Sequence, residues 1–240
     1  MSTDNVSAAD WQLLDQCNSE HFYDELSRAG VILSGHFVLR SGKHANTFVD
    51  IKGLYPHPRV TKTFARALAL RIQRELGEVL LSIRAVVAPA IGGVILAHDT
   101  ADWISLISQD FDREVMALFS EKDKNDKFYF GRGYDEFIDG GLFVIVEDVI
   151  TTGRSVRELV ELIESLGGKV LLICSIWNRG SITAEETGGV PVISLINREL
   201  QTWDLLDCRA DGPCAAGVPV NIKHGRGREY VEQYGPSGLS

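Results

Sequence analysis

Apolar and polar positions alternate with two different periods along this chain, and the alternation predicts most of its elements. Between Ala8 and Arg28 apolar side chains recur at Trp11, Leu14, Phe22 and Leu26, the spacing of one helix face, and Gly30 closes the run. Short strand-like stretches follow at Val31–Leu33, His36–Leu39 and Thr47–Asp50, with Ser41-Gly42-Lys43 as the intervening turn. Pro58 opens a second helix that runs to about Leu76 and stops at Gly77. Arg84–Ala88 reads as a buried strand, which Pro89-Ala-Ile-Gly92-Gly93 breaks into a helix of Val94–Ile107. Glu114–Phe119 and Phe128–Phe130 read as two more strands. Ser120–Lys127 between them is polar and poor in anything that could pack. A strand at Leu142–Val146, a helix at Ser155–Leu166, and strands at Lys169–Trp177 and Val190–Leu195 complete the alternation. This order predicts an α/β fold, with a mostly parallel central sheet flanked by helices.

The pattern shows no internal repeat and no low-complexity linker, and 240 residues with a hydrophobic fraction of 45% suffice for one sizeable core. The expected organisation is a single domain: an N-terminal helix and hood over about 1–57, a core over 58–200, and a loop-rich tail over 201–240. The net charge of −9 argues against nucleic acid or an anionic membrane as partner. An anionic substrate would therefore require locally clustered lysines and arginines. No secretory leader is expected before the four scattered cysteines, and no stretch reaches the roughly 20 apolar residues of a membrane span. A reducing compartment, the cytoplasm, is the expectation.

The richest chemistry lies in Leu142-Phe-Val-Ile-Val-Glu147-Asp148-Val149-Ile150-Thr151-Thr152-Gly153-Arg154-Ser155. An apolar strand ends in two adjacent carboxylates and turns through a hydroxyl- and glycine-rich loop into an amphipathic helix. In an open α/β sheet this places acids and a nest of N–H groups at the carboxyl edge, where ligands bind. Carboxylates accept hydrogen bonds from vicinal sugar hydroxyls, and the N–H groups of Ile150 to Ser155 suit a terminal phosphate at a helix start. Gly153 permits the torsions and the close approach such a loop needs. The plainer alternative is an ordinary strand-to-helix turn capped by Ser155. No Gly-Lys-Ser/Thr occurs here, so this is not a Walker loop. The segment reads as a phosphosugar site.

The segment resembles the phosphoribosyl pyrophosphate-binding motif of type I phosphoribosyltransferases. Gly35-His-Phe37-Val-Leu39-Arg40-Ser41-Gly42-Lys43 resembles the N-terminal signature of the orotate phosphoribosyltransferases. Pro89-Ala90-Ile91-Gly92-Gly93 resembles the family's pyrophosphate loop in its Gly-Gly subgroup. Phe119-Ser-Glu121-Lys122 with Arg132-Gly133 resembles the subgroup's mobile catalytic loop and its neighbouring strands. Trp177-Asn178-Arg179-Gly180 resembles the element that meets the base. Cys208-Arg-Ala-Asp-Gly-Pro-Cys214-Ala-Ala-Gly217-Val-Pro219 resembles a C-terminal cysteine segment. The matches run in order over about residues 30 to 220.

The resemblance implies the type I phosphoribosyltransferase fold with a small N-terminal hood and a mobile catalytic loop. It implies transfer of phosphoribose from phosphoribosyl pyrophosphate to orotate in pyrimidine biosynthesis, with magnesium carried on substrate oxygens and no protein-built metal cluster. A phosphoribosyltransferase for a purine base, or a non-catalytic phosphosugar sensor of the same fold, is the alternative. By resemblance Lys122, Glu147 and Asp148 are catalytic. Arg40, Gly92, Gly93, Lys122, Lys124 and the stretch from Glu147 through Val149, Ile150, Thr151, Thr152, Gly153 and Arg154 to Ser155 bind phosphoribosyl pyrophosphate. Thr151, Arg179 and Phe37 meet orotate, although Phe37 also fits a core aromatic. Lys122, Lys124 and Lys127 suit a closing lid, or a solvated hairpin tip. Asn178 stands where the family carries aspartate, and the lid lacks the histidine of many relatives. A homodimer is implied as well. Cys208 and Cys214 lack a second pair and read as structural rather than as zinc ligands. His36, His44, His57 and His98 show no ligand spacing.

Overall fold

A six-stranded sheet forms where the apolar runs of the sequence fall. The computed structural model describes residues 18–108 and 114–235. Strands β3 (Ala85–Pro89), β4 (Met116–Lys122), β5 (Phe128–Tyr129), β6 (Leu142–Ile150), β7 (Lys169–Asn178) and β8 (Val192–Asn197) are ordered β5-β4-β3-β6-β7-β8. All neighbours are parallel except β5, which returns antiparallel to β4. Near-continuous apolar runs such as Val170–Trp177 suit strands covered on both faces. The chain therefore winds outward from β3 to β4 and β5, and then resumes beside β3 at β6. Between β3 and β6 lies the reversal point where open α/β sheets bind ligands.

Helix α2 (Pro58–Leu76) starts at the expected proline and stops before Gly77, and α3 (Val94–Ser108) follows β3. Helix α4 (Arg154–Ser165) buries Val156, Leu159, Val160 and Ile163, one stripe at helical spacing, against Val87, Ile145 and Ile173 of the sheet. Each such side chain contributes about 1.5–3 kcal/mol on burial. Helix α1 (Ser19–Arg28) lays Phe22 on Phe64 of α2 and Tyr23 on Trp177 of β7. The part of the expected first helix with Trp11 and Leu14 lies outside the described residues.

The chain divides into two compact units. Of the described residues, one holds 18–24, 54–108 and 114–198, and the other holds 25–53 and 199–235. In the second unit, β1 (Ile32–Val38) and β2 (His44–Val49) form an antiparallel hairpin, and β9 (Thr202–Trp203) adds a third strand beside β2. The connecting turn is closed by the N–H of Leu39 on the carbonyl of Lys43 (2.8 Å) and that of Gly42 on Leu39 (2.9 Å), with Gly42 at φ +83°. Helices α5 (Leu205–Asp211) and α6 (Gly227–Tyr234) complete the unit, in which Val38, Val220 and Tyr230 form one buried cluster. The segment expected as a loop-rich tail thus carries regular elements. They are too short to show a period in sequence.

Candidate active site

The acids of the central motif lie near the carboxyl end of β6. The strand runs four residues past its expected end because β7 stays paired with it as far as Ile150 opposite Asn178. On its other side β3 pairs with β6 only up to Val87 opposite Ile145. The main chain of Val146–Ile150 is left facing the reversal point. The acids fill part of this gap themselves: the N–H of Val149 donates to Oδ1 of Asp148 (2.7 Å) and that of Asp148 to Oε1 of Glu147 (3.2 Å). Glu147 is buried and Asp148 half-buried.

The Gly-Gly turn after β3 packs into the same place. A β-carbon on Gly92 would lie 3.0 Å from Oδ2 of Asp148, and one on Gly93 would lie 2.8 Å from the main-chain oxygen of Val146. The Ala90–Ile91 peptide is cis, and the N–H of Ala90 donates to the carbonyl of Ser120 on β4 (2.8 Å). Tyr55 was not singled out by sequence. Its hydroxyl donates to the carbonyl of Gly92. Burial, and then the charges of Asp148 and Glu147, raise its pKa well above the ordinary phenol value, so the hydroxyl keeps its proton.

Beyond Ile150 the chain turns through Thr151-Thr152-Gly153 into α4. Gly153 takes φ +72°, and its carbonyl accepts the N–H of Arg157 (2.9 Å) as the helix begins. A pocket here is lined by Glu147 and by residues 149 to 156, the stretch assigned from sequence to the phosphosugar. Its floor is a helix start whose first N–H groups have no carbonyl within the helix, the arrangement that binds phosphate. The side chain of Arg154 turns along the helix, with Nε donating to Glu158 (2.6 Å).

The end of β7 lies against this loop. Gly180 meets the carbonyl of Thr151 so closely that no side chain fits there, and the N–H of Arg179 donates to Ile150 (2.8 Å). Asn178 is buried and uses both ends of its amide on Ile182, donating to its carbonyl (2.7 Å) and accepting its N–H (2.9 Å). It staples the loop after β7. The guanidinium of Arg179 is half-buried, its pKa lowered by desolvation, and no carboxylate among the described residues pairs with it. Partial burial of a cation without a partner is costly, and an anionic ligand would relieve that cost.

The lid segment is a hairpin tip closed on itself. Oδ1 of Asp123 accepts the N–H groups of Asn125 (2.8 Å) and Lys127 (3.0 Å), and Nζ of Lys122 donates to Asp126 (2.8 Å) while lying 4.8 Å from the ring centre of Phe128. The bond and charge of Lys122, with a contribution from Arg154, hold the Asp126 carboxyl below its ordinary range. The tip and the start of α4 are thus electrostatic neighbours. Arg40, Lys43 and Phe37 belong to the other compact unit. Arg40 is exposed on the hairpin turn, and Lys43 pairs with Asp204 at 3.7 Å. Phe37 is fully buried, with its ring 5.4 Å from that of Phe48. The imidazole of His224 lies at 6.5 Å from the same ring, so in this structure Phe37 is covered on the side of the hairpin unit rather than open to a base.

A strand-end acid pair, a phosphate-sized loop and a Gly-Gly turn meeting at the reversal point define a phosphoribosyl transferase domain, and the family model so described matches residues 51–205. The orotate phosphoribosyltransferase of Caldanaerobacter subterraneus subsp. tengcongensis is 35% identical over 190 residues, 79% of this chain and 88% of that protein. That of Thermotoga maritima is 32% identical over 203 residues, 84% of this chain and 96% of that protein. The chain belongs to the orotate phosphoribosyltransferase family. Among solved structures, orotate phosphoribosyltransferase from Aeropyrum pernix is similar, with a TM-score of 0.52 and 24% identity over 73% of this chain and 93% of that one. Adenine phosphoribosyltransferase from Saccharomyces cerevisiae is similar too, with a TM-score of 0.54 and 20% identity over 74% and 99%. These two likenesses concern the fold, which serves different bases.

Proposed function

We infer that this chain transfers the phosphoribosyl group of phosphoribosyl pyrophosphate to orotate, giving orotidine 5′-monophosphate and pyrophosphate. The observation that carries the reading is the acid pair of β6 facing the Gly-Gly turn and running directly into the loop that opens α4. Relatives named for the orotate reaction, 31–35% identical over most of the chain, support the choice of base.

In this reaction a ring nitrogen of orotate forms a bond to C1 of the ribose as the bond from C1 to pyrophosphate breaks, and pyrophosphate departs with the electron pair. The ribose carries cationic character between these events. Glu147 and Asp148 hold its vicinal hydroxyls and present negative charge beneath that cation. Residues Ile150 to Ser155 hold the 5′-phosphate. The main chain at Gly92-Gly93 lies along the pyrophosphate, and Lys122 supplies positive charge to the leaving group once it lets go of Asp126. Arg179 receives the orotate carboxylate, for which its planar fork suits bidentate recognition. The role of Arg40 toward pyrophosphate rests on the resemblance, as do the homodimer and the cytoplasmic setting. The donor set fits magnesium, a hard cation that takes oxygen ligands and keeps several waters: the acids of β6 face a turn with no side chains to fill the space. When bound, it neutralises charge on the diphosphate.

The test is to mix the protein with phosphoribosyl pyrophosphate, magnesium and orotate and follow the orotate absorbance. Consumption of orotate with release of pyrophosphate is expected. Turnover of adenine or hypoxanthine with orotate inert would replace the reading with a purine one.

A further inference from the structure

Away from the strand-end site, four side chains with metal-binding chemistry converge inside the hairpin unit. His36, His44, Cys208 and Cys214 are all buried, and their ligand atoms lie within 4.8 Å of one another. Both cysteines are free thiols. His36 falls where the β1–β2 ladder shifts register between Ser34 and Phe37, an irregularity that re-aims side chains, and His44 is the first residue of β2. Helix α5 supplies Cys208, and the turn after it brings back Cys214, whose N–H donates to the Cys208 sulfur (3.3 Å).

The orientation of these groups is that of a ligand set. Nδ1 of His36 donates to the carbonyl of Val218 (2.8 Å), which fixes the tautomer and leaves the Nε2 lone pair directed at the cluster. Backbone support of this kind on the outer ring nitrogen is the usual companion of a metal-bound histidine. Nε2 lies 2.7 Å from Nδ1 of His44, and Sγ of Cys214 lies 3.7 and 3.4 Å from these two nitrogens. A tetrahedral ion with metal–sulfur bonds of about 2.3 Å and metal–nitrogen bonds of about 2.0–2.1 Å sets nitrogen and sulfur about 3.5 Å apart. The nitrogen–sulfur separations here bracket that spacing. The two ring nitrogens would need to part by about 0.6 Å to admit the ion.

We propose that His36, His44, Cys208 and Cys214 form a closed four-ligand site for a structural zinc ion. Two thiolates and two neutral imidazoles balance the charge of a divalent cation, and the two thiols release their protons to solvent as it binds. Sulfur and imidazole ligands select zinc over the hard magnesium of the transfer reaction. Four protein ligands leave no position for a substrate. The ion's work is mechanical: it ties the β1–β2 hairpin to helix α5 and the turn after it, segments far apart along the chain.

The experiment uses the full-length protein, purified under reducing conditions. Elemental analysis is expected to find one zinc per chain. Stripping with a chelator should lower the melting temperature, and zinc but not magnesium should restore it. Cobalt(II) added to the stripped protein should give the ligand-field and thiolate charge-transfer bands of a tetrahedral site. Cys214→Ser and Cys208→Ser should weaken those bands, whereas Cys174→Ser, a buried thiol of β7 outside the cluster, should leave them intact. Absence of metal from the purified protein together with no cobalt spectrum in the unaltered chain would overturn the proposal. So would a Cys208–Cys214 disulfide in the reductant-treated protein. Because cobalt binding is read on the unaltered chain, a variant that fails to fold does not decide the matter.

Discussion

Gly93 meets the main-chain oxygen of Val146 across the reversal point of the sheet, so closely that a β-carbon would come within 2.8 Å of it. This contact joins the turn after β3 to the strand that carries the acids, backbone against backbone. Its neighbour Gly92 meets a side chain instead, the carboxylate of Asp148. The two glycines therefore differ in what they protect. Gly93→Ala forces main chain apart and should cost about 1–3 kcal/mol of stability, seen as a melting temperature several degrees lower. Gly92→Ala displaces only the carboxylate, so stability should hold while kcat/KM falls about 10–100-fold. Thermal denaturation and steady-state kinetics on both variants check the contrast. Equal effects of the two on stability would refute it.

Tyr55 holds the same turn from its other side through the Gly92 carbonyl. Tyr55→Phe removes one hydrogen bond, worth about 0.5–1.5 kcal/mol. The expected effect is a raised KM for phosphoribosyl pyrophosphate, with kcat changed little, because the turn is loosened and the acids remain. A fall in kcat alone would instead place the phenol in the chemical step.

Lys122 rests on Asp126, at the tip of a hairpin whose charges sense the start of α4. On the role proposed for Lys122, toward charge that develops only as pyrophosphate leaves, Lys122→Ala should lower kcat about 10–100-fold with little change in KM. Asp126→Asn frees the lysine and should leave kcat undiminished. Comparable losses in kcat and in substrate affinity for Lys122→Ala would mark it as a ground-state contact.

The hairpin tip itself should respond to acid. The N–H groups of Lys127 and then Asn125 hold the Asp123 carboxyl below its ordinary range. A carboxyl lowered on folding contributes fully above its unfolded pKa of about 4, and its contribution is lost as pH falls through the lower folded value. Amide resonances of Asn125 and Lys127 are therefore expected to stay native at pH 5 and to titrate together below about pH 4. Titration at the unshifted carboxylate value would show that the tip does not persist in solution.

The acid pair and its loop were legible in sequence because an apolar run, two acids, a Gly-containing turn and a helical stripe are all local signals. So were the bounds of α2, with its proline at the start and glycine at the end. The extension of β6 to Ile150 was not legible, because it depends on β7 lying alongside. Tyr55 gives no local sign of its role, which exists only once the turn after β3 folds against it. Phe37 reads equally well as a stacking ring or a core ring until its neighbours are in place. The cluster of His36, His44, Cys208 and Cys214 has no spacing signal in sequence, because each pair lacks a second pair nearby. The hairpin and α5 assemble them from opposite ends of the sequence.

That arrangement bears on the order in which the protein can be completed during synthesis. The β1–β2 hairpin leaves the ribosome early, but β9, its third strand, pairs with His44 and Ala45 through Trp203 and Thr202. At about 5–20 residues per second, the free edge of β2 waits roughly eight to thirty seconds for that partner. An unpaired edge is a template for joining another chain. The hairpin sheet thus closes after the strands of the six-stranded sheet have all been made, and the edge of β2 stays open to mispairing until then.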